Sequence, residues 1–313
     1  AYVKAVASAL TIGSGGSAGR EGPIVQIGSA LGSTLARLFR MSDRRRSTFV
    51  AAGAAAGIAA IFNAPLAGVF FALEVVLRSF TARGFSTVVI SAVAANAVWR
   101  VLVGNESVLT ADVHQLVHPT ELVFYALLGV VAAVVAVGFV RLLYFVEDRF
   151  DELPVLADLR PAIGVLAVGL LGAISFDLLG SGLSGIDKAL AGEYAFRMLL
   201  FLLIGKMLAT ALTLGSGGSG GIFSPALFIG ALLGSAYGQT INELFPESTA
   251  SAGAYAVVGM AAVFAAAAQA PMSSIFIVFE MTNDFGLIMP LMAACAAATV
   301  AYTAIKKDSI YEV

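Results

Sequence analysis

Two glycine-rich blocks carry the residues best suited to chemistry. The first, GSGGSAGREGP, runs from Gly13 to Pro23, and the second, GSGGSGGIFSP, from Gly215 to Pro225. In each, small residues precede a non-glycine pair, then a proline and an apolar run. Proline is favoured at a helix start because its missing N–H costs nothing there. Gly22-Pro23 and Ser224-Pro225 therefore predict the first turns of two helices. A helix N-terminus presents free N–H groups and about half a positive charge. Glycines ahead of it let a ligand reach the backbone without meeting Cβ atoms. Two such termini converging form a positive pocket without a basic side chain: a site for an anion held firmly enough to enter and weakly enough to leave. Glu21 stands at one terminus with the same sign as that ligand. It is able to take the anion's place and be displaced or protonated, which makes it a gate. Plainer roles are a cap on its own helix or a pair with Arg20. The spacing of Gly28/Gly32 and Gly230/Gly234 also suits close helix packing.

The elements that must hold these blocks lie in a membrane. Of 313 residues, 59% are hydrophobic and 12% charged, with a mean hydropathy of +0.93. Soluble domains carry roughly a quarter charged residues. A formal net charge of −2 leaves no electrostatic footprint for nucleic acid. The single cysteine, Cys295, excludes disulfides and cysteine-rich metal sites. A span needs about 20 apolar residues, and segments 86–104, 120–146, 161–180, 197–214 and 286–305 qualify. Segments 5–40, 47–77 and 222–281 are apolar but broken, the last two by Asn-Ala-Pro and Gln-Ala-Pro at 63–65 and 269–271. Breaks at membrane depth are tolerated only where backbone packs in protein or lines a watery cavity. The expectation is an all-α integral membrane protein of full spans and half-membrane helices.

An internal repeat organises them. GSGGSAGREGPIVQIGSALGS at 13–33 aligns with GSGGSGGIFSPALFIGALLGS at 215–235, with 12 of 21 positions identical at an offset of 202. A second pair, 53–75 and 259–281, shares Gly53/Gly259, Pro65/Pro271, Phe70/Phe276 and Glu74/Glu280 at an offset of 206. The chain thus divides into a first half at 1–104 and a second at 105–313 within one transmembrane domain. Duplicated halves with interrupted helices mark secondary transporters, with the site at the repeat interface. The second block is preceded by spans and a GSGLSG turn at 180–185, the first by 12 residues. Equal halves would place roughly 85 further residues ahead of Ala1.

At these residues the chain resembles the CLC family of chloride channels and proton-coupled chloride transporters. The matching motifs are GREGP at 19–23, GIFSP at 221–225, Asn-Ala-Pro-Leu-Ala-Gly at 63–68 and Glu-Met-Thr at 280–282. The resemblance implies a CLC-type inverted-repeat bundle and a chloride pathway gated by Glu21. It implies an anion site of Gly22, the backbone N–H groups of Ile222 and Phe223, and the hydroxyl of Tyr311. It implies chloride, and in exchangers protons, as the species carried, with no cofactor or metal and no catalytic residue. A homodimer with one pore in each subunit follows, in the lipid bilayer of a prokaryotic-type inner or plasma membrane. Exchangers of the family commonly carry an inner proton glutamate just after the acid matching Glu74. That position here is Val75, which favours channel-like conduction over proton-coupled antiport.

Rival readings fare worse. Gly217-Gly218-Ser219-Gly220 fits a serine-protease pattern, but the only histidines, His114 and His118, lie in the polar segment 105–121, and Ser219 has a twin in Ser17. Neither block has the lysine of a phosphate-binding loop. A cation-coupled transporter would call for an acid cluster where the blocks offer N–H groups. A fluoride exporter is the nearer alternative.

Overall fold

The computed structural model describes residues 1–104, 108–109, 116–156 and 159–311. These form helices α1 (Tyr2–Gly13), α2 (Glu21–Leu38), α3 (Asp43–Phe62), α4 (Pro65–Phe71), α5 (Ala82–Leu102), α6 (Glu121–Asp151) and α7 (Arg160–Ile174). The remainder are α8 (Leu183–Leu190), α9 (Phe196–Gly215), α10 (Phe223–Leu244), α11 (Ala252–Ala268), α12 (Pro271–Thr282) and α13 (Ile288–Ile305). The one β-type pairing among the described residues is an isolated antiparallel bridge, Gly19 to Gly221.

Among the described residues, four helices are long and apolar enough to cross a membrane: Gly84–Leu102, Glu121–Asp151, Phe196–Gly215 and Phe285–Ile305. The expected span at 161–180 is not continuous. Helix α7 has 15 residues, about 22 Å at 1.5 Å per residue, against a hydrocarbon core of about 30 Å. It stops because Ser175 is extended (φ −151°, ψ 122°) and Gly180 and Gly182 follow with positive φ.

The broken segments divide where the sequence says they should. Each glycine block opens as the end of the preceding helix: Gly15 (φ 98°) and Gly217 (φ 94°) take the left-handed conformation that reverses the chain after α1 and α9. Asn63 (φ 52°) and Gln269 (φ 51°) do the same after α3 and α11. Pro65 and Pro271 then open α4 and α12. Helix α4 runs on into a π-helical turn at Ala72–Val76.

Glycines let the helices pair. A Cβ on Gly28 would strike the carbonyl of Gly53, and one on Gly53 the carbonyl of Gly28, so α2 and α3 touch through backbone. Gly230 and Gly259 stand in the same relation between α10 and α11. Helix α11 is buried from Gly253 to Ala268, at the centre of the molecule. The equivalent residues of the two segments meet each other: Phe70 stacks on Phe276 at 4.2 Å, rings nearly parallel.

Candidate functional site

The N-termini of α2 and α10 meet where the two glycine blocks cross. Gly19 N–H donates to Gly221 C=O at 2.7 Å and Gly221 N–H donates to Gly19 C=O at 2.8 Å. A Cβ on Gly22 would lie 3.0 Å from Gly221 Cα, so two backbones occupy the space one side chain would need. This close crossing brings both helix starts to one cavity of about 350 Å³. Glu21, Gly22, Ile222, Phe223 and Tyr311 all line it, together with Lys4. All five residues expected at the anion site are thus gathered on one wall system.

Glu21 is 1% exposed. Its Oε1 accepts a 2.5 Å hydrogen bond from the hydroxyl of Ser224, in the first turn of α10. Its Oε2 is buried and has no hydrogen-bond partner among the described residues. The carboxylate therefore lies across the start of the opposite half's helix, where free N–H groups point. Arg20 is exposed, and no ion pair joins it to Glu21 among the described residues. Of the plainer roles, pairing with Arg20 is not what the geometry shows, and the side-chain hydrogen bond goes to Ser224 of α10.

Phe223 fixes the second helix start. Its ring is 2% exposed and packs on Phe62 at 5.0 Å, Phe264 at 4.3 Å and Phe71 at 6.5 Å. The side chain is thus anchored in an aromatic cluster at the start of α10, where Ile222 and Phe223 both line the cavity. Tyr311 enters from the polar tail after α13 and lies within electrostatic reach of Glu21.

A second cavity, of about 190 Å³, adjoins this one through Val75 and Tyr311 and is also lined by Glu74, Arg78 and Gln269. The Glu74 carboxylate accepts from Met272 N–H (3.2 Å), Ser273 N–H (2.7 Å) and Ser273 Oγ (2.6 Å). Its repeat partner Glu280 accepts from Leu66 N–H (3.1 Å) and Ala67 N–H (2.7 Å). Each acid thus caps the short proline-led helix of the other half.

Three participants escape a reading of motifs. Ser224 was legible as a helix start but not as the partner of Glu21. Lys4 lines the cavity from α1. Lys206, wholly buried in α9, donates to the carbonyls of Gly180 (2.9 Å) and Leu178 (3.2 Å) and so holds the GSGLSG turn. The signal for both lysines was a lone cation within an apolar helix. The protease reading loses its geometry: Ser219 Oγ bonds Ser8 Oγ at 2.8 Å, and His118 bonds Thr120 beside α6. His114 lies outside the described residues.

Comparison with known proteins gives consistent relatives. The family described as "Voltage gated chloride channel" matches residues 1–302. The chain is 37% identical over 307 residues to the H(+)/Cl(-) exchange transporter ClcA of Vibrio parahaemolyticus, covering 96% of this chain and 66% of that protein. Among solved structures, a slow cyanobacterial Cl-/H+ antiporter superposes with a TM-score of 0.86 at 29% identity, over 96% of this chain and 72% of the other. A CLC-type fluoride/proton antiporter superposes at 0.80 and 29% identity, over 95% and 72%. The chain spans 63–66% of the length of the curated relatives it matches.

Proposed function

This chain belongs to the voltage gated chloride channel family, and from that premise we propose that it forms the pore-bearing part of a proton-coupled chloride exchanger. One observation carries the reading: the Glu21 carboxylate sits on the first turn of α10, in a cavity it shares with Gly22, Ile222, Phe223 and Tyr311. As an anion, it occupies the place the helix start would offer to chloride. Chloride arriving at the N–H groups of Ile222 and Phe223, with the Tyr311 hydroxyl donating from the far side, competes with it. A displaced Glu21 takes up a proton, and its neutral form leaves the helix start to the anion. Lys4 adds positive potential at the cavity wall.

Exchange is preferred over the channel-like conduction that Val75 alone suggests. The 37% identical relative and the structure with TM-score 0.86 are both named as coupled to protons. With valine at the inner position, the inner proton step falls to Glu74, whose cavity touches the central one through Val75 and Tyr311. The two halves, 1–104 and 105–313, act as the two walls of the site; their reciprocal contacts support this division. A homodimer and a bacterial inner membrane complete the reading, the latter favoured by the bacterial relatives.

The test is a reversal potential. Full-length protein in liposomes is given a chloride gradient and then an imposed pH gradient. A potential displaced by the pH gradient is the expected result. A potential set by chloride alone would restore the channel reading, and one set by fluoride with chloride inert would make the substrate fluoride.

A further inference from the structure

The serines of the two glycine blocks do not reach the cavity, yet both are held by hydroxyls of the opposite half. Ser17 N–H donates to Thr213 Oγ1 at 2.9 Å, and Ser219 N–H donates to Thr11 Oγ1 at 3.1 Å. The serine hydroxyls follow the same rule: Ser17 Oγ meets Thr210 Oγ1 at 3.2 Å and Ser219 Oγ meets Ser8 Oγ at 2.8 Å. Each threonine is itself oriented. Thr11 donates its one proton to Ala7 C=O at 3.0 Å, and Thr213 donates to Ala209 C=O at 2.8 Å. A hydroxyl has one proton and two lone pairs, so this leaves oxygen lone pairs aimed at the serine amides. Every one of these residues maps onto its counterpart at the repeat offset of 202.

The clamp acts on a short lever. Gly19 and Gly221 tie the blocks to each other just beyond the serines, with Glu21 two residues on at one side and Ile222 the next residue at the other. Glycines at 16 and 218 leave room for this approach, since a Cβ at Gly16 would lie 3.1 Å from Thr213 Cγ2 and one at Gly218 would lie 3.3 Å from Thr11 Cγ2. Each block is thus pinned by the hydroxyl of one helix from the other half and by the glycine bridge. A buried N–H deprived of its acceptor carries its full desolvation cost, so the loop moves to recover a partner and takes the helix start with it.

We propose that this exchange of hydroxyls sets the position of the two helix starts, so that Thr213 is a positioning residue for the gate at Glu21 and Thr11 a positioning residue for the anion edge at Ile222 and Phe223. The inference rests on the anion reading above, and it makes the two threonines separable. Thr11→Val in full-length protein is expected to weaken chloride affinity about tenfold, which is about 1.4 kcal/mol, and to compress the preference among chloride, bromide and nitrate. Thr213→Val is expected to shift the pH midpoint of flux by about one unit while affinity stays within about twofold. Thr11→Ser and Thr213→Ser, which keep the hydroxyl, restore each value. Thr303→Ala, an exposed hydroxyl bonded within α13, serves as the control.

Calorimetric chloride titration and liposome flux against pH read the two effects. The proposal is overturned if both valine variants move the same readout, or if neither moves it while the wild type transports. Should the valine variants fail to fold, Ser8→Ala and Thr210→Ala test the same clamp, with effects of about threefold expected in affinity and pH response respectively; unchanged readouts there also overturn it. A wild type without chloride-driven flux strikes the functional reading itself, and the clamp's proposed role with it.

Discussion

The α2–α3 pair and the α10–α11 pair are built from the same backbone contacts and differ in what surrounds them and in what they carry. Gly28/Gly53 and Gly230/Gly259 bring each pair together through carbonyls. In α10, 15 of 22 residues are buried and in α11, 16 of 17; in α2 only Glu21, Pro23, Gly32 and Ala36 are, and in α3, 8 of 20. An apolar groove of about 600 Å³ runs along α2, α3 and α5. At the helix starts, one pair presents an ionisable Glu21 bonded through a single oxygen, the other a phenylalanine locked among three rings. On the reading proposed above, one geometry thus supports two duties: the enclosed half supplies a rigid N–H edge and the looser half supplies an acid able to move. A duplicated backbone costs nothing in symmetry when the side chains at one turn divide the work.

The sharpest way to break this comparison is to make the helix starts alike. Glu21→Gln is expected to abolish proton coupling: the reversal potential in liposomes follows chloride alone and flux loses its pH dependence. A variant that keeps its pH response would remove Glu21 from the gate. Next in size is the packing difference. Gly259→Ala pushes a methyl onto Gly230 and Gly234 inside the enclosed pair, and overpacking there is expected to cost about 3 kcal/mol. Gly53→Ala meets the same kind of carbonyl, but α2 borders the groove and can yield, so about 1 kcal/mol is expected. Melting curves in detergent measure both, and equal losses would mean that the groove gives no freedom.

A smaller contrast lies between the two capping acids. Glu74→Gln is expected to lower the proton-to-chloride ratio, because Glu74 also lines the second cavity. Glu280→Gln loses comparable hydrogen bonds and is expected to reduce stability by about 1 kcal/mol with the ratio unchanged. Smallest is Tyr311→Phe. Removing one hydroxyl from the cavity is expected to weaken chloride binding about threefold, read by calorimetric titration, with folding intact.

Much of this was legible because glycine and proline report backbone conformation directly. Gly15, Gly217, Asn63 and Gln269 end helices through positive φ, and the prolines two residues after Asn63 and Gln269 start new ones. Those signals are local and survive without knowledge of neighbours. Segment 161–180 misled because its hydropathy is continuous while its backbone is not: the break at Ser175 is stabilised from outside, with Lys206 of α9 holding the carbonyls that follow. Val75 taken alone favours a channel; the exchange reading proposed above is favoured instead by relatives named as proton-coupled, with Glu74 lining a cavity that adjoins the central one.

From the order of residues alone it follows that the chain lives in a membrane, that its helices break at glycine and proline, and that two equivalent helix starts exist with one acid between them. These follow from composition, from allowed φ and from repetition, none of which needs a partner residue. The folded arrangement of the halves is what seats Glu21 on Ser224 of the other half, lets Glu74 and Glu280 cap each other's segments, and sets threonines on α1 and α9 against the opposite serines. All of these contacts join residues about 200 positions apart. A hydrogen bond acts over about 3 Å, so its partner is fixed by where the halves come to lie against each other, and sequence spacing carries no record of that distance.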